Sequence, residues 1–514
     1  MRKQTRTSIN PQLLQLCCVV MFLTPVQWPV ELVAAEAYCF SVSSCSMEAN
    51  SGISSPGRKT GLLRVHPSNP RYFTDDSGKA IYLGGHQIFV DLQDNTFGNY
   101  TTYNQQARLD WPWYLQFAKA RKLNYLRNWT LMSTGCGVPL RCAVAYPMPY
   151  KRVSGFGSAN DGRGKFDLNQ FDEDFFDRLR SRVIDAGNHG MYVSIMLYDV
   201  YAFSNFSTPL SPMWGGNVFN AENNINGITA DTNGDGWGIE FFTAPSSKIR
   251  SLQKSYVMKV IETVNDLDNV IFEIGNEVGA MEWQYEMIDF VKNYEASKAK
   301  QHLILMSPGG LSGLNVYTSA TQSEVIASSA DIYAASIVWA DYLENPPANN
   351  NGKPGILDRD HVRPTHSQVP ILAWKAFARG HHYTMYDQPF EAAIEDVTWD
   401  LARRNVGAIV TYANEVFSDL AKMLPNGDLS STQYALANPG SEYLIVQPES
   451  GAFTLEMQRG TYSYEWLDPN TASTADRGVV SLMAGKNTFT PPFSGSAVLY
   501  LKSVSSNEPG SPTE

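Results

Sequence analysis

The 514-residue chain has a formal net charge of −11 and 18% charged residues, which excludes the basic surface that nucleic-acid binding requires. Its 43% hydrophobic content is that of a globular protein, and the length leaves room for two or three domains around a large core. Aromatic residues at 12% suit sugar-stacking platforms and large cores equally, so they select neither.

At the N-terminus, Arg2, Lys3 and Arg6 precede an apolar run from Leu13 to Val26, and Ala35-Glu36-Ala37 offers a small-x-small cleavage site. Residues 1–37 therefore read as a secretory signal peptide, with residues 38–60 a short N-terminal segment. Pro25 and Pro29 break the run, which is too short for a comfortable membrane span. Export would make the location secreted or extracellular, or periplasmic or cell-surface in a bacterium. Cleavage after Ala37 leaves Cys39, Cys45, Cys136 and Cys142, and proximity pairs Cys39 with Cys45 and Cys136 with Cys142 in an oxidising compartment. Glycosylation acceptors stand at Asn99, Asn128 and Asn205; Asn128 falls at a strand end and is expected to be buried and unmodified.

From residue 61 the pattern becomes apolar strands alternating with helices. AIYLGG (80–85) reads as a first barrel strand delivering His86 and Gln87 to its C-terminal end. A helix near Trp111 to Arg121 leads to NYLRNW, which places Arg127 and Asn128 at the same end. A helix over about 171–187, with Phe175, Phe176, Leu179 and Val183 at helical spacing, precedes MYVSIMLYD and its terminal Tyr198 and Asp199. A long loop to about Thr243 has the length that function or ion binding favours. The helix over 246–267 then feeds NVIFEIGNE as strand four, ending in Gly275, Asn276 and Glu277. Further strands are read at 303–308, 331–339, 354–361 (PGILDRDH) and 407–413 (GAIVTYA). Eight strands alternating with helices over 61–432 predict an α/β (β/α)8 TIM barrel. An open doubly wound sheet is the alternative, but no Gly-rich phosphate fingerprint follows any strand. After Tyr434 the texture changes to short alternating strands and turns, read as a small all-β sandwich domain over 433–504. A polar tail, 505–514, reads as disordered.

In a barrel the C-terminal strand ends face the active site. The mouth would then be lined by His86, Arg127, Asn128, Tyr198, Asn276, Glu277, Trp339, Asp358, Asp360 and Tyr412. Hydrolysis of a glycosidic bond needs one protonated carboxyl group at the leaving oxygen and one carboxylate on the anomeric carbon or on a water. Glu277 is the best candidate acid, and DRDH supplies the partner as Asp358 or Asp360, with His361 in support. A salt bridge to Arg359 or Arg363 is the structural alternative for the two aspartates. DTNGDGWG offers oxygen ligands at Asp231, Asn233 and Asp235 in the manner of a calcium loop, but its twelfth position is Phe242. No cofactor is expected, and a turn held by Asx hydrogen bonds is the reading set against calcium there. Zinc-type Cys/His spacing and a G-x-S-x-G elbow are both absent from the sequence.

These motifs resemble the apiosidase-like branch of the (β/α)8 glycoside hydrolases. The likeness runs through RVHPSNPRYFTDDSGKAIYLGGH, FNAENNINGI, NDLDNVIFEIGNE, WQYEMIDFVKNYEASKAKQH, DRDH, WKAFARG (Trp374 to Gly380) and ANPGSEYL. It implies a secreted hydrolase acting on O-glycosidic bonds of a poly- or oligosaccharide by a retaining two-carboxylate mechanism. Glu277 would be acid/base and Asp360 or Asp358 the nucleophile, the latter an Asp where most of the clan has Glu. Asn276 would bind the sugar 2-hydroxyl and Arg127 would orient the nucleophile. His86, Asn128, Tyr198, Trp339, His361 and Trp374 would complete the substrate-binding set. The C-terminal domain resembles the type named for collagen binding, and a glycan contact through it is a further expectation. A non-catalytic carbohydrate- or matrix-binding protein on a degenerate barrel is the competing class.

Overall fold

The computed structural model describes residues 61–88, 90–95, 109–134, 136–137, 141–142, 145–204, 213–309, 321–335, 342, 344–359, 368–387 and 396–504. Eight parallel strands close into a barrel: β1 (Gly84–Ile88), β2 (Tyr125–Asn128), β3 (Tyr192–Met196), β4 (Val270–Glu273), β5 (Leu303–Met306), β6 (Ile332–Ala335), β7 (Gly355–Arg359) and β8 (His382–Tyr386). Each pairs with its neighbours in chain order, and β8 returns to β1. Among the described residues, the intervening helices of six residues or more include α1 (Trp111–Ala120), α2 (Glu173–Asn188), α3 (Ser247–Val264), α4 (Met281–Glu295), α5 (Gln322–Ala327), α6 (Val369–Ala378) and α7 (Val397–Thr411).

Local chemistry explains where the helices start. Asp110, Asp172, Ser246 and Asp396 accept backbone N–H groups at the first turns of α1, α2, α3 and α7, and Thr321 with Glu324 forms a capping box on α5. One face of each helix then covers the strands. On α3 that face is Ile249, Leu252, Tyr256, Val257, Val260, Ile261 and Val264, the i, i+3, i+4, i+7 spacing of an amphipathic helix. Among the described residues, no helix is long and apolar enough to cross a membrane.

Because side chains alternate across a strand, the barrel has two cores. Tyr125, Tyr192, Ile271, Leu305, Ile332 and Ile356 fill the interior with Leu83, while Leu126, Val193, Phe272, Ile304, Tyr333 and Leu357 face the helices. Gly85 is tight against β2: a Cβ there would sit 1.8 Å from the Tyr125 carbonyl oxygen.

Two strands differ from the sequence reading. The first begins four residues later than AIYLGG suggests, so His86 and Gln87 lie within β1 and not beyond its end. The eighth is HYTMY, and GAIVTYA is the second half of α7 running into a π-helical turn at Tyr412–Val416. Buried residues Trp399, Ala402, Arg403, Val406, Ile409 and Val410 repeat at helical spacing. The β-branched run at 409–411 is overridden by this packing.

Strands β9 (Leu424–Pro425), β10 (Ala435–Asn438), β11 (Glu442–Gln447), β12 (Phe453–Met457), β13 (Gly460–Asp468), β14 (Ser473–Leu482), β15 (Gly485–Phe489) and β16 (Ala497–Ser503) form the C-terminal domain. A six-stranded antiparallel sheet, in the order β9-β10-β11-β16-β13-β14, faces the two-stranded sheet β12-β15. Ala435, Tyr443, Ile445, Leu499 and Leu501 meet Phe453 and Leu455 between the sheets. The alternate residues Leu436, Leu444, Val446, Val498 and Tyr500 belong instead to the outer core of the barrel, where α6 lies against β10 and β11. Strands β10, β11 and β16 of the six-stranded sheet thus bury both faces.

Candidate active site

The site is built on interior positions of the barrel. Pairing sets Gln87, Arg127 and Ser194 side by side on β1, β2 and β3. Above the apolar interior layer this is a polar layer, completed by Glu273 from β4 and Asp358 from β7. Arg127 is 2% exposed and makes four hydrogen bonds and an ion pair within this layer. Nε donates to Glu273 Oε2 at 2.8 Å and Nη2 to Glu273 Oε1 at 2.5 Å. Nη2 also donates to Asn276 Oδ1 at 2.8 Å, while Nη1 reaches Gln87 Oε1 and Asp358 Oδ2, the latter at 2.9 Å. Gln87 Nε2 donates to Asp358 Oδ1 at 2.9 Å. The amide orientations follow from chemistry: guanidinium only donates and carboxylate only accepts, so Gln87 must turn its oxygen to Arg127 and its nitrogen to Asp358. Glu273 takes two further donors, Ser194 Oγ at 3.4 Å and Ser307 Oγ at 3.2 Å.

Past the end of β4 the chain turns through Gly275 to Asn276 and Glu277. The Asn276 N–H donates to the Tyr198 carbonyl at 2.9 Å. Its side chain is clamped between Arg127 and Asp199, Nδ2 donating to Asp199 Oδ1 at 3.2 Å. Glu277 follows with φ +55° and is 4% exposed. A left-handed backbone at a non-glycine residue costs of order 1–3 kcal/mol, and such residues concentrate at functional sites. One cation and two carboxylates, Glu273 and Asp358, are thus locked together, and the Asn276 they hold precedes a glutamate whose backbone is strained.

Of the residues singled out from sequence, Arg127, Asn276 and Asp358 are linked through this network, and Glu277 follows Asn276 directly in the chain. Others point elsewhere. His86 alternates with Gln87 and faces outward, its ring between Asp387 Oδ2 at 2.7 Å and the Tyr114 hydroxyl at 2.8 Å. Burial alone would raise the Asp387 pKa, but the hydrogen bonds from His86 and from Arg403 hold it below the usual carboxylate value. Asn128 alternates with Arg127 to the same outer face; it is fully buried, and its amide makes no side-chain hydrogen bond. The Tyr198 hydroxyl donates to the Gln253 carbonyl and its ring packs on Phe241, Tyr256 and Trp283, so it is core. Trp374 sits inside α6, its indole N–H on Asn405 Oδ1 at 2.9 Å. Tyr412 packs on Trp374 and on Tyr500 of the C-terminal domain. Trp339, Asp360 and His361 lie outside the described residues, as do acceptors Asn99 and Asn205.

The long β3–α3 connection is held by its own amides. Asn217, Asn223 and Asn224 are buried, and their Nδ2 groups satisfy the carbonyls of Ala202, Gly215, Asn217, Val218, Asn220 and Ile228. In DTNGDGWG, Asp231 accepts the N–H groups of Gly234 and Gly236, Asn233 that of Asp235, and Asp235 that of Trp237. That is a run of Asx turns. Cys136 and Cys142 stand opposite one another in the backbone register of a short antiparallel pair; Cys39 and Cys45 lie outside the described residues.

Sequence reasoning missed Glu273, Ser194 and Ser307. A charged residue inside the apolar run VIFEIG was the available signal, since a buried charge must find a partner.

A family model described as a domain of unknown function, DUF6298, matches residues 142–315, about a third of the chain. No curated protein matches. Among solved structures, a Bacteroides vulgatus ATCC 8482 protein provisionally named a glycoside hydrolase superposes with a TM-score of 0.58 at 14% identity, covering 87% of this chain and 83% of that one. A glycoside hydrolase family 5 protein from the same organism gives 0.52 at 13%, with 86% and 94% covered. A structure named simply as a glycoside hydrolase gives 0.52 at 12%, with 87% and 98% covered. At such identities the likeness is one of architecture: a closed (β/α)8 barrel followed by an all-β domain.

Proposed function

We propose that the protein is a glycoside hydrolase that cleaves O-glycosidic bonds, with Glu277 as the acid/base and Asp358 as the second carboxylate. The observation that carries this reading is the single guanidinium of Arg127, which joins the Asn276-Glu277 turn of β4 to Asp358 of β7. Two carboxyl groups on opposite sides of a sugar ring are what glycoside hydrolysis requires. Glu277 would give its proton to the leaving oxygen while Asp358 attacks the anomeric carbon; water, deprotonated by Glu277, would then release the sugar. Asp360, two residues further along the chain and outside the described residues, is the competing nucleophile. Retention is the expectation attached to the fold, for which the carboxyl groups should lie about 5–5.5 Å apart.

The clamped Asn276 supports the same reading. Its oxygen is committed to Arg127 and one N–H to Asp199, so the second N–H is the donor the amide would offer to a sugar 2-hydroxyl. The likeness of the barrel to solved glycoside hydrolases adds support at the level of fold. The basic and apolar N-terminal stretch supports export, and an oxidising compartment would allow Cys136 to bond Cys142.

The test is a screen of the purified protein against plant and microbial polysaccharides, reading released reducing sugar beside Glu277→Gln. The wild type should release sugar from one substrate class, and the variant should fall by about 10²–10⁴-fold, the usual weight of general acid catalysis. Equal release by both proteins would overturn the assignment of Glu277. Silence across the panel, with both proteins binding one glycan, would establish a binding protein instead.

A further inference from the structure

We infer that Glu273 is a positioning residue that takes up most of the Arg127 charge and so keeps Asp358 basic enough to attack. The inference rests on the hydrolase reading with Asp358 as nucleophile. Glu273 is the last residue of β4, fully buried, and touches Arg127, Ser194 and Ser307.

A guanidinium offers two edges to carboxylates. Here Glu273 occupies the Nε/Nη2 edge in the two-bond geometry, which is the strongest arrangement available to the pair. Asp358 meets Arg127 through Nη1, and its other oxygen accepts from the neutral Gln87 amide. Asp358 is thereby oriented by Gln87 and Arg127 while sharing its cation with a second anion. A carboxylate facing an unshared guanidinium would be a weaker base, and a neighbouring anion acts in the opposite direction. Glu273 thus lets one arginine hold Asp358 in place without quenching it. Glu273 leaves Arg127 Nη2 its second hydrogen bond, to Asn276 Oδ1, so the same fork also fixes the residue that precedes Glu277.

The test measures the acid limb of the kcat/KM–pH profile on whichever 4-nitrophenyl glycoside the wild type cleaves best. Glu273→Gln should move that limb down by about one pH unit or more, because the remaining positive charge falls on Asp358. Ser307→Ala should move it up by a few tenths, because Glu273 then gives more of its charge to Arg127. The serine variant removes one 3.2 Å donor and keeps the question open to measurement if Glu273→Gln does not fold. A Glu273 that merely glues the strands would lower the melting temperature and leave both limbs in place, and that result overturns the inference. Azide rescue of Asp358→Ala and Asp360→Ala separates the failures. Rescue of Asp358→Ala with unmoved limbs sinks the role of Glu273 alone. Rescue of Asp360→Ala only sinks it together with the choice of nucleophile, while the hydrolase stands. No cleavage of any glycoside by the wild type sinks all three.

Discussion

Arg127 matters at the scale of single residues because its four hydrogen bonds and its ion pair with Asp358 are all buried inside the barrel. Lysine presents a point charge with no planar fork, so Arg127→Lys would leave Glu273 half-paired and Gln87 or Asp358 without its donor. Breaking a buried pair of this kind costs about 3–5 kcal/mol, which urea unfolding would read directly; a loss near zero would mean that water replaces the guanidinium. Asn276 and Glu277 were legible in the sequence, because polar residues directly after an apolar run mark a strand end. The Arg127–Glu273 fork was not, since its partners are 146 positions apart and only barrel closure brings them together. The positive φ of Glu277 is likewise a property of the folded turn that no residue type announces.

At the scale of elements, β8 is held by a histidine that the fold keeps neutral. His382 accepts the Leu83 N–H at Nδ1, 2.9 Å, and bonds the Arg71 carbonyl through Nε2, 3.0 Å. Its neighbour His381 reaches the Pro347 carbonyl at 2.8 Å. Burial lowers their pKa values to about 3 and about 4. Since both folded values lie below the unfolded 6.5, the stability they permit is complete above that pH and is lost as the pH falls towards 4. Each should contribute a slope of about 1.4 kcal/mol per pH unit in that window. Unfolding free energies measured between pH 6.5 and about 5, above the ordinary carboxylate range, would show it, and His382→Gln should remove one proton from the slope. An unchanged slope would mean that His382 takes its proton while folded. This same histidine hid the strand. With His382 and Thr384 inside the barrel, HYTMY reads as a polar loop, whereas Ile409, Val410 and Thr411 read as a strand but complete a helix. Strands two to seven were legible because both of their faces are mostly apolar.

Across the whole molecule, the barrel and the C-terminal domain share a core. Leu436, Leu444, Val446, Leu467, Val498 and Tyr500 are buried with the barrel residues, each contributing about 1.5–3 kcal/mol. Glu442, 1% exposed, adds polar ties by accepting the Ser418 N–H at 3.1 Å and the Tyr500 hydroxyl at 2.6 Å. Asn405 of α7 donates to the Pro469 carbonyl at 2.9 Å. Calorimetry should therefore give one unfolding transition, and Leu444→Asp should lower that transition as a unit; two transitions, with only one of them moved, would show independent domains. The change of texture after Tyr434 is a boundary of pattern and not of folding, since β9 at 424–425 already pairs into the C-terminal sheet. A recombination event at that point would strip one partner of its lining and leave the other with a greasy flank. The two parts are accordingly expected to descend as a single heritable block, and a transplanted sandwich would have to bring its own counterpart of α6 to stay soluble.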